Sequence, residues 1–231
     1  MIHGRCKRTG WLIRLETITF IPNGEGSSLE ELIPSGWKIL DNKTGDLNQD
    51  GFQDLAFVIQ DTDPDAFSLN DGFGGDTLDL NPRLLEIYFG SESGVLKRVL
   101  QSDQFIIRKD SPTMDEPFAG LEITEKGILE VQFHIWHSAG SWFTSNHTYK
   151  FRYQDNQFAL IGYDWVEAHR ASGDTKDYSI NFLAKKMEIT LGNYTEDGPG
   201  SVESIDFELD QLKTLESMGK PFEWEFEGII L

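Results

Sequence analysis

Short apolar runs that alternate with turn residues dominate the chain from residue 84 onward. The runs are rich in β-branched and aromatic side chains, and turn signals such as Glu125-Lys126-Gly127 separate them. Strands with this close spacing favour an antiparallel all-β meander, built as a sandwich, a barrel or a partial propeller. No alternation of strands with helices supports a parallel sheet.

The sequence therefore predicts an all-β fold with one or two short helices. Helices are predicted at 29–32, where Ser28 is placed to cap the first turn, and at 209–218. Strands are predicted at 37–40, 55–60, 84–89, 95–100, 105–108, 121–124, 128–137, 147–153, 158–167, 178–182, 186–190 and 205–209.

The length of 231 residues is sufficient for one sizeable core, and we expect a single domain over 1–231. Residues 1–15 are predicted to be a poorly anchored start, and 11–21 contain the pattern of an early strand. Residues 61–81 form a long acidic loop that contains neither Lys nor Arg. This loop is either solvated and flexible or adds carboxylates to a cation site.

The segment 45–55 carries oxygen-bearing side chains at nearly every second position. These residues are Asp46, Asn48, Asp50 and Asp54. Ca²⁺ takes six to eight oxygen ligands, and loops bind it with side chains at alternating positions. The backbone carbonyl of Phe52 offers a further ligand, and Gly51 permits the tight turn. The segment therefore predicts a calcium site, and the alternative is an Asx-rich turn without a metal.

An EF-hand is excluded because the twelfth loop position is Phe57 and a strand-like run surrounds it. The loop resembles that of the FG-GAP or VCBS-type repeat, which is known from the β-propellers of integrin α subunits and of bacterial surface proteins. The resemblance covers about residues 37–99, including the terminal Phe89-Gly90. Only one loop of this form occurs, and the insertion at 61–81 departs from a compact repeat.

The resemblance implies an ion site more strongly than it implies a propeller. The ligands that it implies are the side chains of Asp46, Asn48, Asp50 and Asp54 and the carbonyl of Phe52. It also implies a calcium-stabilised, non-catalytic domain at or outside the cell surface, with a protein or a glycan as partner. An extracytoplasmic location suits such a loop, because extracellular modules bind Ca²⁺ at about 10⁻⁴ to 10⁻³ M.

The net charge of −19 argues against nucleic acid and anionic membranes as partners. A single cysteine, Cys6, excludes an internal disulfide framework and a cysteine-based zinc site. No apolar run is long enough for a transmembrane helix, and the basic N-terminus lacks the apolar region of a signal peptide. Either the protein is cytosolic or a leader is missing from this version.

Two hairpin registers suggest an alternative function. If the loop 138–145 is symmetric, His137 faces His147; if the next turn centres on residues 155–156, His147 faces Asp164. Two imidazoles and a carboxylate could bind Zn²⁺ or perform acid–base chemistry, which makes a metal-assisted hydrolase the alternative. The competing interpretation is a polar rim of the core, and a slip of one residue in either register would separate the three side chains.

Two further possibilities concern surfaces. Trp136, Trp142 and Trp165 form either a ligand-stacking surface or part of the core. The acidity of the chain could itself serve to contact a basic partner.

Overall fold

The computed structural model describes residues 23–196 and 200–231, so the predicted strand at 11–21 and the predicted loose start at 1–15 lie outside the described residues. Within these described residues lie two helices, α1 (Leu29–Leu32) and α2 (Leu215–Met218), and a 3₁₀ turn at Pro64–Ala66. The strands are β1 (Glu25–Gly26), β2 (Trp37–Gly45), β3 (Asp54–Asp61), β4 (Phe67–Leu69), β5 (Thr77–Asp79), β6 (Arg83–Phe89), β7 (Leu96–Ser102), β8 (Phe118–Ile123), β9 (Ile128–Ile135), β10 (Phe143–Gln154), β11 (Gln157–His169), β12 (Asp174–Asn181), β13 (Lys186–Asn193), β14 (Ser201–Asp206), β15 (Glu225–Phe226) and β16 (Ile229–Ile230).

The prediction of a mainly antiparallel all-β fold with short helices is confirmed. In the part of the chain that the structure describes, no helix is long and apolar enough to cross a membrane.

A five-stranded sheet in the order β1-β7-β6-β3-β2 forms the first layer. Its central strands β3 and β6 are almost entirely buried, because apolar side chains are packed on both faces. This explains why the sequence from Leu55 to Ile59 is a continuous apolar run rather than an alternating one. One face, together with α1, forms a small cluster that consists of Leu32, Leu55, Phe57, Ile59, Leu84 and Tyr88.

The second layer is a seven-stranded sheet in which consecutive strands β8 to β14 are neighbours. Strands β9 and β10 bury every second residue, as expected for strands with one face on a core. Residues from both sheets contribute to the main hydrophobic cluster. The sheets meet where the Asp41 carboxylate of β2 accepts a hydrogen bond from Leu121 N of β8 at 2.8 Å.

The predicted strand at 105–108 is wrong, because this segment between β7 and β8 is irregular. Phe105 is fully buried there, and its ring contacts Phe133, Tyr149 and Phe151 edge-on at centroid distances of 6.2, 5.2 and 5.4 Å. The apolar residues of this segment therefore serve to fill the core rather than to extend a sheet.

The predicted helix at 209–218 is much shorter, and it begins at Leu215. Thr214 and Ser217 form a reciprocal capping box, in which Ser217 N donates to Thr214 Oγ1 at 3.2 Å and Thr214 N donates to Ser217 Oγ at 2.8 Å. At the first helix, Ser28 holds the N-cap position as predicted, but its side chain makes no capping hydrogen bond.

Candidate functional site

The loop between β2 and β3 is folded by hydrogen bonds that its own acidic side chains accept. The two carboxylate oxygens of Asp46 accept from Asp50 N at 3.1 Å and Gly51 N at 2.9 Å. The turn needs left-handed backbone at Gln49 (φ 61°) and Gly51 (φ 89°), and glycine adopts this conformation without strain.

The next two polar residues continue this pattern. Asn48 Oδ1 accepts from Asp50 N at 3.0 Å, and Asp50 Oδ1 accepts from Phe52 N at 2.9 Å. The amide of Asn48 donates to the other carboxylate oxygen of Asp50 at 2.9 Å. The oxygens of Asp46 and Asn48 thus lie around the same backbone N–H group, on one side of the loop.

Asp54, the first residue of β3, ties this loop to the rest of the first sheet. Its side chain is 0% exposed, and it accepts hydrogen bonds from Leu47 N at 2.7 Å, Asn48 N at 3.3 Å and Gly90 N at 2.9 Å. Burial raises the pKa of Asp54, the three N–H groups lower it, and the charge of Asp50 raises it further. A buried carboxylate therefore connects the start of the loop, β3 and the end of β6.

The loop also contacts the second sheet. Gln49 Nε2 donates to the carbonyl of Lys126 at 3.1 Å, in the turn between β8 and β9. A side chain at Gly127 would place its Cβ 2.6 Å from the carbonyl oxygen of Asp46, so the turn must be glycine to approach this closely. Leu47 is buried in the main core. The loop is consequently held between the two layers.

Gly90 makes the contact on the side of the first sheet. A Cβ at this position would lie 2.1 Å from Gln53 O and 3.0 Å from Gln53 C, and these backbone atoms cannot move aside easily. We expect Gly90→Ala to lower the free energy of unfolding by roughly 2 to 3 kcal/mol in urea denaturation. Gly24→Ala is the control, because a Cβ there meets no atom within 4 Å. Equal stability of the two variants would contradict the close packing of Gly90 on Gln53.

The donor set of the loop fits a hard cation, because it offers three carboxylates, an amide oxygen and the Phe52 carbonyl. Within residues 23–196 and 200–231, however, no three His, Cys, Asp or Glu side chains are arranged to hold a metal ion. Both oxygens of Asp54 face backbone N–H groups, and Asp50 is bonded to the amide of Asn48. Cation binding would therefore require the side chains of Asn48 and Asp50 to separate and reorient.

No protein-family model, curated protein or solved structure matches the chain. The resemblance to an FG-GAP or VCBS-type repeat consequently stays a prediction that rests on the residues of 37–99.

The proposed cluster of His137, His147 and Asp164 is not formed. His147 pairs with Phe133 on β9 and with Trp165 on β11, so neither predicted opposition occurs. Both predicted pairings are wrong, and each register fails for a separate reason.

On the β10–β11 side, a bulge between Lys150 and Phe151 shifts the register by one residue. The predicted pairing of Phe151 with Leu160 holds before the bulge, but beyond it Asp164 pairs with Thr148. Its carboxylate lies on the opposite face of the sheet from His147, where it accepts from Lys150 Nζ and from Ser179 Oγ at 2.9 Å.

On the β9–β10 side, the connecting loop is displaced from the assumed centre, so that Ser145 pairs with Ile135. His137 forms an isolated bridge with Met114 instead. Its carbonyl accepts a hydrogen bond from Arg170 Nη2 at 3.0 Å. The hydrolase alternative thereby loses the site on which it depended.

His147 itself is a member of a buried hydrogen-bonded chain. Its Nε2 lies 2.8 Å from Ser145 Oγ and its Nδ1 lies 2.6 Å from the hydroxyl of Tyr163. The ring of Tyr149 lies 4.8 Å from that of Tyr163, and its hydroxyl accepts a hydrogen bond from Phe222 N at 3.3 Å. Burial lowers the pKa of His147 to about 3, with His134 contributing. Such a weak base is poorly suited to proton abstraction near neutral pH.

Of the three tryptophans, Trp165 belongs to the core. The ring of Trp165 is stacked on Tyr178 at 4.8 Å and on His147 at 5.8 Å, and it packs against the main core. Trp142 is exposed, whereas the Arg170 guanidinium lies 5.2 Å from the ring centre of Trp136. The core interpretation therefore holds for Trp165.

Glu86 is a buried acid that was not predicted from the sequence. It lies on β6 with 1% of its surface exposed, and Arg98 Nη1 is 3.7 Å from its carboxylate. Burial raises the pKa of Glu86 to about 7, and the charge of Arg98 opposes this shift. The sequence did contain one signal for this buried acid, because Glu86 interrupts the apolar run of β6. The neighbouring strand β7 carries Arg98.

Proposed function

We propose that this chain is a calcium-binding, non-catalytic β domain that holds one Ca²⁺ in the loop 46–54. The observation that carries the proposal is the concentration of five oxygen donors in one short loop that is anchored to both sheets. The donors are the side chains of Asp46, Asn48, Asp50 and Asp54 and the carbonyl of Phe52.

Electrostatics supports a cation at this position. Three carboxylates share the loop in a chain of net charge −19, and Asp50 already raises the pKa of the buried Asp54. A carboxylate has about four lone-pair sites, and Asp54 uses three of them for backbone N–H groups. Asp54 can therefore keep its structural hydrogen bonds and still contribute to a cation. Positive charge would relieve the repulsion, so that binding stabilises the folded state.

The location of the loop suggests what binding would do. Because the loop contacts Gly90 of the first sheet and the turn at Lys126 of the second, ordering it would strengthen the junction of the two layers. A role in binding a protein or glycan outside the cytosol agrees with this, since extracellular modules bind Ca²⁺ with a Kd of about 10⁻⁴ to 10⁻³ M.

Thermal unfolding in 5 mM CaCl₂ and in EDTA tests the proposal. A ligand at about 100 times its Kd stabilises by about 2.7 kcal/mol, and 1 kcal/mol shifts the Tm of a chain of this size by about 2–4 °C. We therefore expect Ca²⁺ to raise the Tm by roughly 5–10 °C, and Mg²⁺ to have a much smaller effect because it requires rigid octahedral geometry.

Asp50→Ala is expected to abolish the calcium response. Asp110→Ala is the matched control, because it removes the same charge from an exposed position outside the loop and should leave the shift intact. An unchanged Tm of the unmodified protein in Ca²⁺ would refute the proposal. An equal shift in both variants would show that Ca²⁺ acts only by screening the overall negative charge.

A further inference from the structure

Residues 61–81 are not a flexible loop but an ordered hairpin in which β4 pairs with β5. Asn81, which is fully buried, closes its base: Asn81 Oδ1 accepts from Asp63 N at 3.0 Å, and Nδ2 donates to Asp63 O at 3.1 Å. Asp79 Oδ1 accepts a further bond from the same amide at 2.7 Å. These bonds supply the order that an isolated two-stranded hairpin lacks.

The tip of the hairpin is also fixed. Asn70 Nδ2 donates to Gly75 O at 2.9 Å, and Asn70 Oδ1 accepts from Gly72 N at 3.1 Å. Gly75 N donates to the carbonyl of Pro112 at 2.8 Å, which joins the tip to the segment before β8. The neighbouring Gly74 packs so closely that a Cβ would lie 2.5 Å from the same oxygen.

This fixed backbone presents three large apolar side chains to water. Leu69 is 87% exposed, Phe73 is 74% exposed and Phe67 is 48% exposed. Phe67 and Leu69 are two residues apart on β4 and therefore share one face. Single exposed apolar residues are ordinary, but three within one short, ordered element are typical of a protein-interaction surface.

The charge around these side chains defines the partner. The segment 61–81 contains no Lys or Arg and six aspartates, namely Asp61, Asp63, Asp65, Asp71, Asp76 and Asp79. Lys38 Nζ of β2 lies 3.6 Å from the carboxylate of Asp79, so one of the six charges is paired. The other five still give the hairpin an excess of negative charge, which repels nucleic acid and anionic membranes. A second copy of the chain is also disfavoured, because each copy carries a net charge of −19.

We propose that the hairpin 67–79 is the docking site for a basic protein that packs apolar side chains on Phe67, Leu69 and Phe73. The aspartates accelerate the encounter and select a positively charged surface, while the three apolar side chains provide the buried area of the complex. This docking site is separate from the loop 46–54. It specifies a basic protein as the partner, whereas the proposed calcium site specifies none.

Peptide binding to the full chain tests the docking site. The probe is a synthetic 20-residue peptide of alternating Lys and Leu, with one analogue that has Glu for Lys and another that has Ser for Leu. We expect only the Lys–Leu peptide to bind measurably in fluorescence anisotropy, with an affinity that falls as salt rises. Backbone NMR shifts on binding should be concentrated in 61–81.

The double variant Leu69→Ser/Phe73→Ser is expected to weaken this binding at least tenfold. The matched control is Leu191→Ser/Val202→Ser, which removes two exposed apolar side chains from the second sheet and should leave binding unchanged. Equal affinities of the two double variants, or NMR shifts centred elsewhere, would overturn the proposal. Calorimetric unfolding confirms that each variant is folded.

Two further measurements distinguish a basic protein from two other possible occupants of the hairpin, a membrane surface and a second copy of the chain. Binding to phosphatidylserine vesicles that Leu69→Ser/Phe73→Ser abolishes would identify a membrane surface and refute a protein partner. A concentration-dependent dimer in analytical ultracentrifugation that the same variant abolishes would identify a second copy instead. The Asp50→Ala variant should bind the Lys–Leu peptide normally, so the docking site and the calcium site can fail independently.

Discussion

Replacing Asp54 with alanine is expected to lower the free energy of unfolding by about 3 to 5 kcal/mol in EDTA, and by more in Ca²⁺ because a ligand of the proposed site is lost as well. The buried carboxylate accepts hydrogen bonds from the backbone N–H groups of Leu47, Asn48 and Gly90. Each buried donor that loses its acceptor costs about 1–3 kcal/mol, while relief of the buried charge offsets part of this loss. Urea denaturation at pH 7 with linear extrapolation measures the difference.

Asp46→Ala provides the comparison that separates the structural role from cation ligation. Asp46 is only partly buried, and water can replace it as the acceptor for Asp50 N and Gly51 N. We expect this variant to lose at most about 1 kcal/mol in EDTA and to lose the calcium response. If Asp54→Ala were as stable as Asp46→Ala in EDTA, the carboxylate of Asp54 would not be the tie between loop and sheet.

These two aspartates illustrate what the sequence could and could not reveal about the site. The spacing of Asp46, Asn48 and Asp50 before Gly51 predicts a tight loop with converging oxygens, because those interactions are local. The bond between Asp54 and Gly90 joins residues that are 36 positions apart, so no local pattern could disclose it. Whether the loop binds Ca²⁺ stays a prediction.

The strand order of the second sheet could be predicted from the sequence, because it too depends on local features. Alternating apolar residues and short turns specify a meander of neighbouring strands, and β8 to β14 follow that rule. The register could not be predicted from the sequence. The bulge between Lys150 and Phe151 shifts by one residue every β10–β11 pair on the side of the bulge away from the turn. That shift separates Asp164 from His147 and brings Tyr163 close to it.

The hairpin at 67–79 was missed because its order comes from side chains rather than from strand propensity. A segment rich in Asp and Gly has the composition of a loop. Here the amides of Asn70 and Asn81 fix the tip and the base of the short hairpin, in which Phe67 and Leu69 of β4 pair with β5.

A fall in pH from 7 to 4 should destabilise the protein through His147, and His147→Gln should remove that contribution. The imidazole is 6% exposed, and its pKa in the folded chain is lowered from 6.5 to about 3. Above pH 6.5 the ring is neutral in both states. Below it only the unfolded state takes up the proton, so stability falls as the pH drops towards 3, by about 1.4 kcal/mol per unit.

The stabilities of the two proteins should therefore converge or cross in acid. At pH 7, His147→Gln is expected to be about 2–3 kcal/mol less stable, because the glutamine cannot reproduce the bonds to Ser145 and Tyr163 or the stacking on Trp165. At pH 4 the unmodified protein has lost roughly 3 kcal/mol that the variant retains, so the difference should be near zero or reversed.

Urea denaturation of both proteins at several pH values between 7 and 4 measures this convergence, and common effects of carboxylate protonation cancel in the difference. His169→Gln is the control, since it changes a partly exposed imidazole that contacts Ser172 near the end of β11. A stability difference between His147→Gln and the unmodified protein that stays constant with pH would mean that His147 can be protonated in the folded state. The buried chain from Ser145 to Tyr163 would then have to admit a charge, contrary to the enclosed environment in which it lies.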